Sequence, residues 1–452
     1  MSKVIGAIAA VVVLGAGGFA GATWYTGQQV DGKLDSVAAQ LKGYELIKVS
    51  KRDFQKGFWT STETVTYRFG CDAAAAEGKF LPAGAEITVR NVVRHNPFAA
   101  GIDTEFVYSA EAKAELDKVF KGKAPLSIHT TIPLSGDITT SFSSPEATYT
   151  EAGKGDFTWK GINGSVQYDR DLNKVKSKVT FAGFEIKDKD KGAMQFAAVD
   201  LESDQTRAAE GVYLGKQTMT WAGVNAKFTD SNGEPLDFSL GKSVLTSSSQ
   251  LKDGLIEAGV NVAANDLVVK GKPVGALTVD YGFNRIDPAA LKSYNDLTLK
   301  EGLLQCKFDH QADEAKLKSL VIALLKHDPA IKLAFKLKTP AGEGSYQIDL
   351  AGKGIQEADL AVPNPMALLP KLDAAVVVNL PRAVVEKLID DFVPAEEAEM
   401  QKATFAAGLE QGVARGLIEP DEKVIKAKLA LKGGKFEING KEKTMEQLMM
   451  GE

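Results

Sequence analysis

The chain has 452 residues, 25% of them charged and 44% apolar, with 54 Lys and Arg against 59 Asp and Glu for a formal net charge of −5. That is the composition of a few globular domains, and it excludes wholesale disorder and a polytopic membrane protein. The near balance of charge argues against nucleic-acid binding as the main activity. Two Cys and four His leave little material for a disulfide scaffold, a zinc site or thiol chemistry.

The first segment departs from that average. Val4 to Tyr25 carries no charge, and only Lys3 and the amino terminus precede it. As a helix such a run spans roughly 33 Å, enough for a hydrocarbon core of about 30 Å. Trp24 and Tyr25 stand where an interfacial aromatic belt belongs, and Lys3 holds the start inside. Residues 1–27 are therefore expected to be a transmembrane signal anchor with the rest of the chain exported. A cleaved signal peptide ending at Ala20-Gly21-Ala22 is the alternative. Gly17 and Gly21 form a small-xxx-small pair through which two anchors could pack into a homodimer, although small residues are also common in such segments.

Residues 28–43 keep helical spacing through Val30, Leu34, Val37 and Leu41 and are expected to form a stalk helix. From Tyr44 the signal turns to strands. Trp59, Ser61, Glu63, Val65, Tyr67 and Phe69 alternate with Thr60, Thr62, Thr64, Thr66 and Arg68, and Ile87, Val89 and Val93 continue in the same style. Ala110 to Phe120 is expected to be a short helix. From Pro125 to Arg285 short alternating runs recur between turn signals, which predicts an antiparallel meander with one apolar and one polar face. Asn163-Gly164 and Asn232-Gly233 mark turns, the first as a hairpin between Phe157–Ile162 and Ser165–Tyr168. Lys174 to Ile186 alternates as one run.

The last third is mixed. Helices are expected over Pro288–Lys300, Gln311–Lys326, Pro381–Phe392 and Ala395–Gly416, and strands over Ile331–Lys338, Ser345–Leu350 and Ala374–Leu380, with a closing hairpin over Val424–Leu431 and Lys435–Asn439. The fold class is then α+β and β-dominated: a long antiparallel meander, as a sandwich or a curved sheet, with helices mainly in the C-terminal third and one N-terminal transmembrane helix. The domains divide as 1–27, 28–43, a β-rich 44–285 and a mixed 286–452.

No catalytic motif emerges. Gly241-Lys242-Ser243 lacks the first glycine of a phosphate loop, and there is no G-x-G-x-x-G, G-x-S-x-G, H-E-x-x-H or C-x-x-C. His95, His129, His310 and His327 are not at ligand spacing from one another. Asp188, Asp190 and Gly192 are interleaved with lysines and lack the terminal Glu of a calcium loop, so a solvated hairpin tip is expected. No cofactor or metal is expected. Cys71 and Cys306 would share an oxidising compartment, but nothing local predicts their contact; two separate buried thiols is the favoured reading and a disulfide the alternative.

Several short motifs then stand together: Lys51-Arg52-Asp53-Phe54-Gln55-Lys56-Gly57-Phe58-Trp59-Thr60-Ser61, Arg94-His95-Asn96-Pro97-Phe98, Leu337-Lys338-Thr339-Pro340-Ala341-Gly342-Glu343, Gln411-Gly412, Gly416-Leu417-Ile418 and Phe436-Glu437-Ile438-Asn439-Gly440-Lys441. Following an uncharged N-terminal run, this pattern resembles the YdgA family of Gram-negative envelope proteins, a family of unknown function. Lys56-Gly57 and His95-Asn96-Pro97 depart from the Arg-Gly and His-Gly-Pro usual there. The resemblance implies an inner-membrane anchor and a periplasmic body, and it supplies no catalytic residues.

The expected function is that of a membrane-anchored, non-enzymatic structural or interaction protein of the periplasm. The alternative is lipid binding or shuttling, since a one-sided apolar sheet must bury that face against a second sheet, a helix or a lipid. Val179, Phe181 and Phe184 are the candidates for lining such a groove.

Overall fold

The computed structural model describes residues 44–70, 85–95, 99–133, 135–208, 211–229, 233, 235–306, 314–356, 358–359, 365–444 and 447. The expected anchor and stalk, with Gly17, Gly21, Trp24 and Tyr25, lie outside them, as does Cys71. Among the described residues no helix is long and apolar enough to cross a membrane.

The chain forms two compact units, one of Met1–Gln217 with Lys292–Glu314 and one of Thr218–Leu291 with Ala315–Glu452. The strand-rich stretch expected over 44–285 is thus shared between them. Strand pairing within each unit is antiparallel, in keeping with the β-dominated α+β expectation.

In the first unit the strands are β1 (Ile47–Gln55), β2 (Thr60–Phe69), β3 (Ala85–His95), β4 (Ala99–Val107), β5 (Ser127–Pro133) and β6 (Ile138–Ser144). They continue with β7 (Ala147–Glu151), β8 (Gly155–Trp159), β9 (Ile162–Tyr168), β10 (Lys174–Phe181), β11 (Phe184–Asp188), β12 (Gly192–Phe196) and β13 (Val199–Arg207). One ladder runs β1-β2-β3-β4-β5-β6-β9-β10-β13 and a second runs β7-β8-β11-β12. Helix α1 (Ala110–Phe120) matches its expected span. The Ser109 side chain accepts from the Ala112 N–H at its start, and Lys121 closes it in the left-handed conformation.

The apolar face of this unit is sealed. Val93, Ile102, Ile132, Ile138, Val166 and Tyr168 form one buried cluster, and Leu116, Val119 and Phe120 of α1 meet Leu126, Ile128, Ala147, Phe157 and Trp159 in another. Each large side chain so buried contributes roughly 1.5–3 kcal/mol. Polar groups inside are paired. Arg52 Nε donates to Glu63 Oε1 at 2.7 Å, Asn91 Nδ2 donates to Glu63 Oε2 at 3.1 Å, and Thr104 Oγ1 donates to Asn91 Oδ1 at 2.8 Å. The Thr130 and Thr140 hydroxyls share a hydrogen bond of 2.9 Å, and burial pushes the Tyr168 hydroxyl up to about 12.

One turn expectation and one strand expectation fail here. Asn163-Gly164 is no hairpin but the middle of β9, laddered on both sides to β6 and β10. A side chain at Gly164 would meet the Phe142 ring at 2.5 Å and the Lys178 carbonyl at 2.9 Å, so the glycine serves close packing. The Lys174–Ile186 run breaks into β10 and β11 at Gly183, whose φ of 102° and approach to the Phe196 carbonyl both require glycine.

The remaining strands are β14 (Tyr213–Trp221), across the boundary, and β15 (Val224–Thr229), β16 (Pro235–Leu240), β17 (Ser243–Lys252), β18 (Leu255–Val269), β19 (Lys272–Ile286), β20 (Ala330–Thr339), β21 (Gly342–Gly352), β22 (Leu372–Pro381), β23 (Val424–Lys432), β24 (Lys435–Ile438) and β25 (Lys441–Lys443). In the second unit β17 to β25 pair in sequence order, and the β15–β16 hairpin joins the far end of β18. That hairpin turns around Gly233, at φ 83°. Between β19 and β20 the chain forms α2 (Pro288–Asn295), a π-helix over Asp296–Leu304 where one α-helix is expected to Lys300, and α3 (Glu314–Leu325). Helices α4 (Arg382–Phe392) and α5 (Ala395–Ala414) follow β22 and pack on each other.

Candidate functional site

Alternation along β18 to β23 places an apolar residue at every second position, and the register sets these directly opposite one another. Val262 faces Val279, which faces Phe335, which faces Tyr346, which faces Val378, which faces Ala427. The neighbouring row runs Val260, Tyr281, Leu333, Ile348, Val376 and Leu429. By strand spacing this face is about 24 Å across and about 20 Å along the strands. None of the residues in these two rows is buried; Tyr346 is 37% and Leu429 38% exposed. Tyr281 and Phe283 touch edge to face at 4.3 Å between ring centres. At one margin Ile438 is buried, and at one end α4 packs on β21 and β22 with Val384 fully buried. The opposite side of β20 carries Lys332, Lys336 and Lys338.

The sequence-based groove candidates are placed elsewhere. Phe181 and Phe184 pack against the α1 cluster, Phe181 at 5.0 Å from Trp159 and Phe184 stacked on Phe196 at 5.3 Å. Val179 lies half-buried between Leu201 and Gly164. The two phenylalanines are partly buried against that cluster and its neighbouring rings. What the sequence reading missed was the alternation shared by β18 to β23, visible strand by strand but informative only once the register aligns it.

A concave feature lies on the polar side of the first unit, a trough of about 830 Å³ over β4, β5, β6, β9 and β10. Asp103 joins two side chains there: its Oδ1 lies 2.7 Å from His129 Nδ1 and its Oδ2 2.8 Å from Arg94 Nη2. His129 Nε2 lies 3.3 Å from Thr131 Oγ1. The order Asp, His, hydroxyl is that of an activated nucleophile. Thr131, however, is a mid-strand residue laddered to Gly101 and Thr139, and the strand amides around it are committed to the sheet rather than aimed at an oxyanion.

The other chemically suspect groups have local roles. Asp188 Oδ1 accepts from the Asp190 and Lys191 N–H at the β11–β12 hairpin tip. His327 Nε2 stands 3.2 Å from Asp287, whose carboxyl is held low chiefly by the Ala290 N–H at the start of α2. No metal-holding group of three ligands occurs among the described residues. Cys306 is disulfide-bonded rather than a separate thiol. Two residues before it, the Leu304 carbonyl accepts from the Glu45 and Leu46 N–H, while Gly70 donates to Leu46.

Residues 1–446 match the family described as bacterial protein of unknown function (DUF945), and the chain belongs to that family. Protein YdgA of Escherichia coli (strain K12) is 23% identical over 389 residues, which cover 77% of this chain and 75% of that protein. The resemblance drawn from the short motifs holds. No solved structure matches the chain.

Proposed function

We propose that the chain is a non-enzymatic protein of the bacterial envelope, anchored in the inner membrane with its body in the periplasm, and that its second unit binds lipid acyl chains. The supporting observation is the apolar face of β18 to β23, whose two central rows stay partly exposed. Its length along the strands, about 20 Å, accommodates hydrocarbon of one leaflet, about half of a 30 Å core. Apolar patches of this extent mark binding surfaces in soluble bodies. The uncharged Val4–Tyr25 run supports the anchor, and a disulfide at Cys306 supports an oxidising compartment.

The test is face-selective crosslinking in cells. A photoreactive side chain replacing Phe335 should capture lipid, and one replacing Lys336, on the other side of the same strand, should not. Lipid adducts at both positions or at neither would refute the reading. A defined protein adduct at Phe335 alone would instead establish the interaction module.

A further inference from the structure

The motif Lys51 to Ser61 folds into the end of the β1–β2 hairpin. Its tip holds two of the most exposed large apolar side chains among the described residues, Phe58 at 84% and Trp59 at 68%. Their rings meet edge to face at 4.9 Å between centres, so they stand as one aromatic unit. Phe54, 38% exposed, adds to the same end of the hairpin. The turn is built for this presentation: a Cβ on Gly57 would lie 2.2 Å from the Thr60 carbonyl oxygen, so only glycine closes it. Trp59 shares the parity of buried Ser61, Glu63 and Val65, yet it projects past the sheet instead of joining that core.

Charge around the tip is locally basic. From Glu45 to Glu63, Lys48, Lys51, Arg52 and Lys56 stand against Glu45, Asp53 and Glu63, a net of +1 in a chain of −5. Arg52 is engaged by buried Glu63 and Lys48 by Glu45, and Lys51 and Lys56 are the cations nearest the aromatic pair along the chain. Trp and Phe flanked by Lys is the side-chain set that settles at headgroup level, where rings enter the acyl boundary and ammonium groups meet lipid phosphate. Only residues 26–46 separate the uncharged N-terminal run from β1, a tether short enough to hold the hairpin at high local concentration near the bilayer holding that run.

We propose that the β1–β2 tip docks into the surface of an anionic lipid bilayer through Phe58 and Trp59. The proximity argument rests on the anchoring proposed above; the tip chemistry does not, and neither requires acyl chains on the second unit. The test uses the full chain in vesicles of phosphatidylethanolamine and phosphatidylglycerol with brominated acyl chains. The emission of Trp59 is obtained by difference from Trp59→Phe, and that of Trp24 from Trp24→Phe. Trp59 should be quenched by the brominated lipid and shielded from aqueous acrylamide. Phe58→Ser, at a solvent-exposed position, should keep the unfolding midpoint and lose most of that quenching, as should replacement of phosphatidylglycerol by phosphatidylcholine. Trp59 open to acrylamide and unquenched by bromine overturns the proposal, and so does Trp59 shielded from acrylamide but unquenched by bromine, because a protein surface then covers it. Quenched Trp59 with unquenched Trp24 sinks the anchor and retains the tip.

Discussion

The two units use the same strand grammar and reach opposite ends. In the first, alternating apolar residues are driven to near-complete burial: Val65, Val93, Ile138 and Val166 are each 2% exposed. In the second, an apolar face built from Val279, Leu333, Phe335, Ile348 and Val376 is only partly buried. Alternation makes a face apolar; what lies across from it decides whether that face becomes a core or a surface for something else.

The largest effect that can sharpen this contrast is expected from the buried ion pair of the closed unit. Arg52→Met leaves Glu63 charged and buried without its cation, which should cost about 3–5 kcal/mol in denaturant unfolding, while Arg52→Met with Glu63→Leu should recover most of it. Next, Ile138→Ala should cost about 3 kcal/mol, in the range for a filled core, whereas Leu333→Ala on the open face should cost about 1 kcal/mol. Equal losses would break the comparison.

A smaller difference lies in pH response. Burial pushes Tyr67, Tyr108 and Tyr168, all in the first unit, up to about 12. The fold thereby favours their neutral forms. This stabilisation is complete below pH 10, the ordinary tyrosine value, and is lost as pH rises through about 12, so near-ultraviolet absorbance should report alkaline loosening first in that unit. In the second unit Asp421 is held down to about 2 by Lys426 and by the Lys423 and Val424 N–H at the start of β23. Its contribution is present above the usual carboxylate value of 3.8 and fades as pH falls through about 2. Amide exchange at Val424 should quicken over that interval, and Asp421→Asn should remove the dependence.

Local chemistry was legible in the sequence and long-range pairing was not. Ser109 and the apolar positions of Ala110–Phe120 define α1 without outside help, and the Gly233 turn follows from residues that need a positive φ. Asn163-Gly164 carries an equally strong turn signal and fails, because ladders to β6 and β10 on both sides outweigh it. The groove candidates failed for a related reason. Phe181 and Phe184 look like any strand aromatics until Trp159 and Phe196, brought in by other strands, draw them against the α1 cluster. The open face had the converse problem: its members are unremarkable singly, and only the register of six strands adds them into one surface. The exposed tip was half visible, since the Phe58-Trp59 pair stood in the sequence while its protrusion depended on the closure at Gly57.

The excursion between β19 and β20 bears on how the molecule is made. Those two strands are ladder neighbours, yet the chain between them supplies Lys292–Glu314 to the first unit, where the Leu304 carbonyl receives the Glu45 and Leu46 N–H just ahead of β1. The first unit is therefore unfinished when its own strands have all emerged, and it must wait from Gln217 until Lys292–Glu314 has been made for its closing piece. Connectivity makes completion of the first unit await the later segment, and a nascent chain stopped before Lys292 would leave the Glu45 and Leu46 N–H ahead of β1 without their Leu304 acceptor. Any factor that attends this protein during its synthesis has that interval in which to act.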